Sequence, residues 1–232
     1  MTGKGCMRVA AAGARGFGRV PAPPLRDPAS IRVAVAHIAA GDPGLADVIA
    51  RVGPFAIRHA EPDFETMVRN IVYQQLSGRV ALAIFDRLKA AAAPQGRMCP
   101  AGLLALDENA LRRVGLSARK ARYVRDLAEK TASGLVDFAA LAALPDEAVI
   151  EQLTQVTGVG PWTAQMFLIF ALHRPDVLPV GDLGIRTAAR QLYRLRALPS
   201  PARLTRLARP WRPYASVACW YLWRSLQGAA AL

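Results

Sequence analysis

Apolar residues recur at helical spacing through most of this chain, and no stretch of useful length alternates apolar and polar residues as a half-buried strand would. Ile31 to Ala40 reads as a first helix, and Asp42-Pro43 opens a second that Gly53-Pro54 stops near Val52. Asp63 then precedes Phe64, Met67, Val68, Ile71, Val72 and Leu76, whose spacing lines one face of a strongly amphipathic helix. Ser77-Gly78 breaks the pattern before Val80 to Ala92 resumes it, which leaves Gln74-Gln75-Leu76 at a helix end. Either this is a kinked core helix with an exposed glutamine pair, or the amides face a groove. Asp107 caps a short helix ending at Gly115. Ser117 caps the next, which ends at Gly134 and carries Arg119, Lys120, Arg122 and Arg125 on what reads as a solvated face, with tracking of a polyanion backbone as the alternative. Phe138 to Leu144 gives a short turn, and no internal repeat is present. The predicted fold class is all-α.

The pattern is most informative between Leu153 and Asp182. A helix opened by Pro145-Asp146-Glu147 turns Val149, Leu153 and Val156 inward. Thr157-Gly158-Val159-Gly160 then forces a tight reversal, and Pro161 restarts a helix carrying Trp162 through Leu172. Glycines in such a hairpin permit positive φ and close approach of a phosphate to backbone N–H groups at the second helix's start, so it grips DNA without reading sequence. After a loop with Pro175 and Pro179, Gly181-Asp182 heads a helix from Leu183 to Leu195. Asp182 is either an N-cap or a lone functional carboxylate. Tyr214 to Gln227 forms an aromatic helix with Trp220, Tyr221 and Trp223, and aromatics there fill core or line a pocket.

Composition sharpens this picture. The chain has 232 residues, 53% of them hydrophobic, enough for one domain or two apposed lobes. Its formal net charge of +13 points to a polyanionic partner, nucleic acid ahead of acidic membrane. Arg186, Arg190 and Arg194 share one helical stripe, and Arg196, Arg203, Arg206, Arg209 and Arg212 follow with no acid between, a basic surface next to the hairpin in sequence. Cys6, Cys99 and Cys219 lack metal-site spacing, so no zinc or iron–sulfur group is expected, and a reduced cytosol fits. No apolar run approaches the roughly 20 residues of a membrane span, so a soluble, cytoplasmic, bacterial protein without membrane partners is expected. Residues 1–30 carry five basic residues against Asp27 amid Gly, Ala and Pro, and read as a flexible basic arm, either a bacterial tail or early start, or a transit peptide.

LTQVTGVGPWTA followed by DVLPVGDLGIR resembles the helix-hairpin-helix, Gly/Pro-rich loop and aspartate signature of the DNA glycosylase superfamily, in its 3-methyladenine DNA glycosylase II branch. FETMVRNIVYQQLSGRVA, GLSARKARYVRDLA and PWRPYASVACWYLW extend the resemblance over about Glu65 to Leu226. It implies a two-lobed helical bundle over residues 31–232 with the active site in the cleft between lobes, in the compact form that lacks an N-terminal β-rich domain. It further implies that Thr157, Gly158, Val159, Gly160, Thr163 and Arg186 meet DNA, that Asp182 is catalytic, and that Trp162, Trp220 and Tyr221 line the base pocket. Gln75 or Leu76 would wedge into the duplex. No cofactor is expected beyond a monovalent cation held, in some members, by hairpin carbonyls.

The implied reaction is hydrolysis of the N-glycosidic bond of an alkylated purine flipped out of double-stranded DNA, by a monomer. Two other readings stay open: a non-catalytic helix-hairpin-helix DNA-binding protein, and a glycosylase for oxidised or mismatched bases.

Overall fold

The computed structural model describes residues 23–226 apart from 59, 77 and 95, and among these every regular element is helical. They divide into a central unit, residues 60–167, and a terminal unit, residues 23–58 with 168–226. No helix among the described residues is long and apolar enough to cross a membrane.

The terminal unit begins with α1 (Pro28–Gly41) and α2 (Pro43–Val52). Each starts at a proline behind an aspartate whose side chain accepts a backbone N–H, Asp27 from Ser30 and Asp42 from Leu45. Helix α1 starts three residues before the expected Ile31, and Leu25 is buried with its N–H donated to His173 O at 3.0 Å. Residues 23–30 are therefore not part of an arm, and the remainder of that expected segment lies outside the described residues.

The central unit holds α3 (Phe64–Tyr73), α4 (Gly78–Ala92), α5 (Pro100–Leu104), α6 (Glu108–Arg113), α7 (Ala118–Ala132) and α8 (Asp146–Thr154). Helix α3 buries Phe64, Met67, Val68, Ile71 and Val72, the face that its periodicity marks. Helix α5, too short for a periodic pattern, was not legible in the sequence. Helix α9 (Pro161–Phe170) follows the hairpin and carries the chain on into the terminal unit, where α10 (Leu183–Leu192), α11 (Pro201–Leu207) and α12 (Ala215–Ser225) complete the fold.

In the terminal unit, the fully buried Trp211, Ile38, Leu45 and Tyr221 anchor the core. Each such side chain contributes about 1.5–3 kcal/mol of hydrophobic stabilisation. Asp42, also buried, accepts from Leu45 N, Trp211 Nε1 (3.0 Å) and the Tyr193 hydroxyl, so one cap residue ties α2 to residues 151 and 169 positions away. The loop before α10 is pinned as firmly. Arg212 donates to Asp176 O at 2.8 Å and pairs with its carboxylate at 2.9 Å, and Ser216 Oγ donates to Arg174 O and accepts Val177 N–H. These bonds fix where the chain delivers Asp182.

Candidate functional site

In the central unit the hairpin turns as the glycine pattern predicts. Helix α8 stops at Thr154, Gly158 takes φ +83°, and Pro161 opens α9. Gly158 is needed twice over: an added Cβ would lie 2.2 Å from Tyr123 Cδ2, so the ring of Tyr123 packs directly against bare backbone. Gly160 has open space at its Cβ position and is exposed, as is Thr157, whereas Val159 and Thr163 are buried.

Helix α7 cradles this hairpin from one face. Asp126 accepts the Thr157 N–H at 2.7 Å and pairs with Lys130 at 2.8 Å, and Lys130 donates to Gln155 O at 2.6 Å. Burial opposes the charge on Asp126, but hydrogen bonds from Lys130 and Thr157 more than offset it and hold the carboxyl below its ordinary range. A carboxyl with a folded pKa below its unfolded value stabilises the fold above the unfolded value and loses that contribution as pH falls through the folded one. The stability gap between wild type and Asp126→Asn should therefore be constant from neutral pH down to about pH 5 and shrink below about pH 4, measured by urea melts across that range.

The same face carries the wedge candidates. Gln75 is exposed with φ 57° and accepts from Arg119 at 3.2 Å, and Leu76 is 39% exposed. Gln74 does not sit on a solvated rim: its Nε2 donates to Gly158 O at 3.1 Å and Thr163 Oγ1 at 3.3 Å, a strut from the wedge loop to the hairpin. Lys120 corrects the reading of α7 as a solvated face. It is buried, and its ammonium donates to Val72 O at 2.6 Å and Gln74 O at 2.5 Å, capping the carbonyls at the end of α3. Arg125 likewise turns back to Leu106 O.

A monovalent cation at the hairpin would have to draw on turn carbonyls. Gln155 and Gly158 already accept from Lys130 and Gln74, and the first of these donors is itself a cation.

In the terminal unit, Asp182 is buried at the head of α10, where Oδ1 accepts the Ile185 N–H at 2.7 Å. It is thus an N-cap, and more: the same oxygen accepts Trp223 Nε1 at 3.0 Å from α12. Trp223 stacks on Phe170 with centroids 5.7 Å apart. Of the three expected pocket rings, Tyr221 and Trp220 are buried in the terminal unit. Tyr221 is fully buried and donates its hydroxyl to Gly53 O, and Trp220 is enclosed by Phe55, Tyr221 and the Arg224 guanidinium. Both pack against the terminal unit's core, because α12 turns that side inward. Trp162, in the central unit, is 47% exposed. The arginine stripe is also shorter than expected. Helix α10 ends at Leu192, Arg194 takes φ 50° beyond it, and Arg186 is tethered to Pro199 O at 2.9 Å, while Arg190 is exposed. Arg203 and Arg206 lie on α11, a seven-residue helix too short for its periodicity to show.

Comparison with known proteins gives the family and its relatives. Residues 68–213 match the family model for the HhH-GPD superfamily base excision DNA repair protein. DNA-3-methyladenine glycosylase 1 of Schizosaccharomyces pombe is 34% identical over 84% of this chain and 88% of its own length. The structure of the Schizosaccharomyces pombe 3-methyladenine DNA glycosylase Mag1 in complex with abasic DNA superposes with a TM-score of 0.75 at 34% identity, covering 85% of this chain and 98% of that one. A DNA-3-methyladenine glycosidase from Bacillus halodurans gives a TM-score of 0.76 at 37% identity, over 85% of this chain and 90% of that one. Hairpin, capped aspartate and overall likeness converge on one assignment: the chain belongs to the HhH-GPD superfamily of base excision DNA repair proteins.

Proposed function

We infer that the protein is a monofunctional DNA glycosylase that hydrolyses the N-glycosidic bond of alkylated purines, of the 3-methyladenine and 7-methylguanine type, in double-stranded DNA, and that it acts as a monomer on the DNA of the bacterial cytoplasm. The observation that carries the chemistry is the Asp182 carboxylate, buried and oriented by two N–H donors. An alkylated purine already carries positive charge, so its glycosidic bond is weak and little general acid is required. As that bond breaks, charge develops on the sugar, and a fixed carboxylate stabilises it and orients the attacking water. The exposed Trp162 ring offers a face to a cationic base, worth roughly 0.5–2 kcal/mol over a neutral one. Backbone N–H groups at the start of α9, in the central unit, hold a phosphate, and the arginines of α10 and α11, in the terminal unit, supply further cationic contacts. Affinity for undamaged duplex should fall steeply with salt, and a salt-independent dissociation constant would count against this surface.

Incubation with alkylated duplex and identification of the released bases tests the reading. Free 3-methyladenine and 7-methylguanine are expected. Release of 8-oxoguanine or mispaired bases instead would move the assignment to another glycosylase class, and no release at all would leave a DNA-binding protein. The strand should stay intact. Strand-cutting relatives attack the sugar with a lysine just after the hairpin, and here that position is Trp162, which cannot form a Schiff base. The other lysines of the described residues are committed elsewhere: Lys89 to Glu65, Lys120 to the α3 carbonyls, Lys130 to Asp126 and Gln155. Borohydride should trap no covalent adduct, and breaks should appear only after alkali.

A further inference from the structure

We propose that Trp223 is a positioning residue for Asp182, its indole N–H fixing the orientation of the carboxylate during base excision; this rests on the catalytic reading of Asp182 above. An N-cap needs one hydrogen bond, and Asp182 has it from Ile185. The second donor serves no cap. Trp223 reaches Oδ1 from 41 positions away, on a different helix and from a different direction. A carboxylate held by one N–H can still pivot about that bond, whereas two donors converging on one oxygen select a single side-chain orientation, which a reaction needing an anion at a defined distance from the sugar requires.

Two further residues are arranged around the indole. Phe170 stacks against it at 5.7 Å with an interplanar angle of 28°, so the ring cannot swing away. Gly184 makes room for it: a Cβ there would come within 3.1 Å of both Trp223 Cδ1 and Asp182 Oδ1, and 3.3 Å of Trp223 Nε1. Glycine is a poor helix former, and Gly184 stands inside α10 without a positive φ. The close approach of indole and carboxylate explains why it is there.

Trp223→Phe keeps a ring against Phe170 and removes the N–H. Single-turnover release of 7-methylguanine should slow roughly 10- to 100-fold, while the dissociation constant for abasic-site duplex stays at the wild-type value. Gly184→Ala crowds the same contact without touching the indole and should give the same split between rate and affinity, so the test survives if the phenylalanine variant folds poorly. A purely structural bond predicts the reverse: a lower melting temperature with an unchanged rate well below it, and that result in both variants overturns the proposal. Asp182→Asn run alongside separates the two readings. Loss of activity there with wild-type rates in Trp223→Phe and Gly184→Ala sinks the positioning role alone. Wild-type excision by Asp182→Asn sinks the catalytic reading and the positioning role with it.

Discussion

Replacing Asp182 by asparagine should reduce excision of alkylpurines on the order of 10²- to 10³-fold while DNA affinity and thermal stability stay near wild type. The hydrogen bonds from Ile185 N–H and Trp223 Nε1 both end on Oδ1, and an asparagine oxygen can accept both, so the substitution removes the charge and keeps these two bonds. Asp182→Ala is the informative contrast. It loses the cap, worth about 1 kcal/mol, and deprives the indole N–H of this acceptor, so its melting temperature should fall together with its activity. If asparagine supports turnover at the wild-type rate, Asp182 is a cap and nothing more.

Gly158→Ala should have the second largest effect, a loss of duplex affinity of tenfold or more accompanied by a lower melting temperature, at roughly 1–3 kcal/mol. Two penalties coincide at this position. Its φ of +83° disfavours any residue with a Cβ, and that Cβ would sit 2.2 Å from the Tyr123 ring, which cannot retreat without uncoupling α7 from the hairpin. Gly160→Ala separates folding from binding. Nothing lies within 4 Å of its Cβ position and its φ is not positive, so the melting temperature should stay at the wild-type value, and any lost affinity reports the phosphate contact directly. Equal affinity of Gly158→Ala and wild type, by fluorescence anisotropy on abasic duplex, would remove the hairpin from the DNA interface.

Local rules account for most of what could be read from the amino-acid order. Asp42, Asp63, Asp107, Ser117 and Asp182 each accept an N–H three residues on, a bond set entirely within one turn, so the helix starts they mark were legible. The reversal at Thr157 to Gly160 was legible for the same reason, as was the apolar face of α3. The superfamily resemblance also lay in contiguous residues, and the match over 68–213 bears it out.

Partner choice over long separations was not legible. On α12, Trp220 and Trp223 are three residues apart and share a face by spacing, and only the packing of the terminal unit decides that Trp220 and Tyr221 meet Phe55 while Trp223 meets Asp182. Likewise, nothing local distinguishes the Lys120 ammonium, buried on the α3 carbonyls, from its exposed neighbour Arg119. The Gln74 amide reaches across 84 positions to the hairpin, and Asp126 across 31. The sequence by itself determined most of the helices, the starts that a side chain caps, the hairpin and the aspartate, because caps, breakers and periodicity act within a few residues. The tertiary structure alone decided which side chains hold that hairpin and that aspartate in place, because those contacts depend on how whole helices pack.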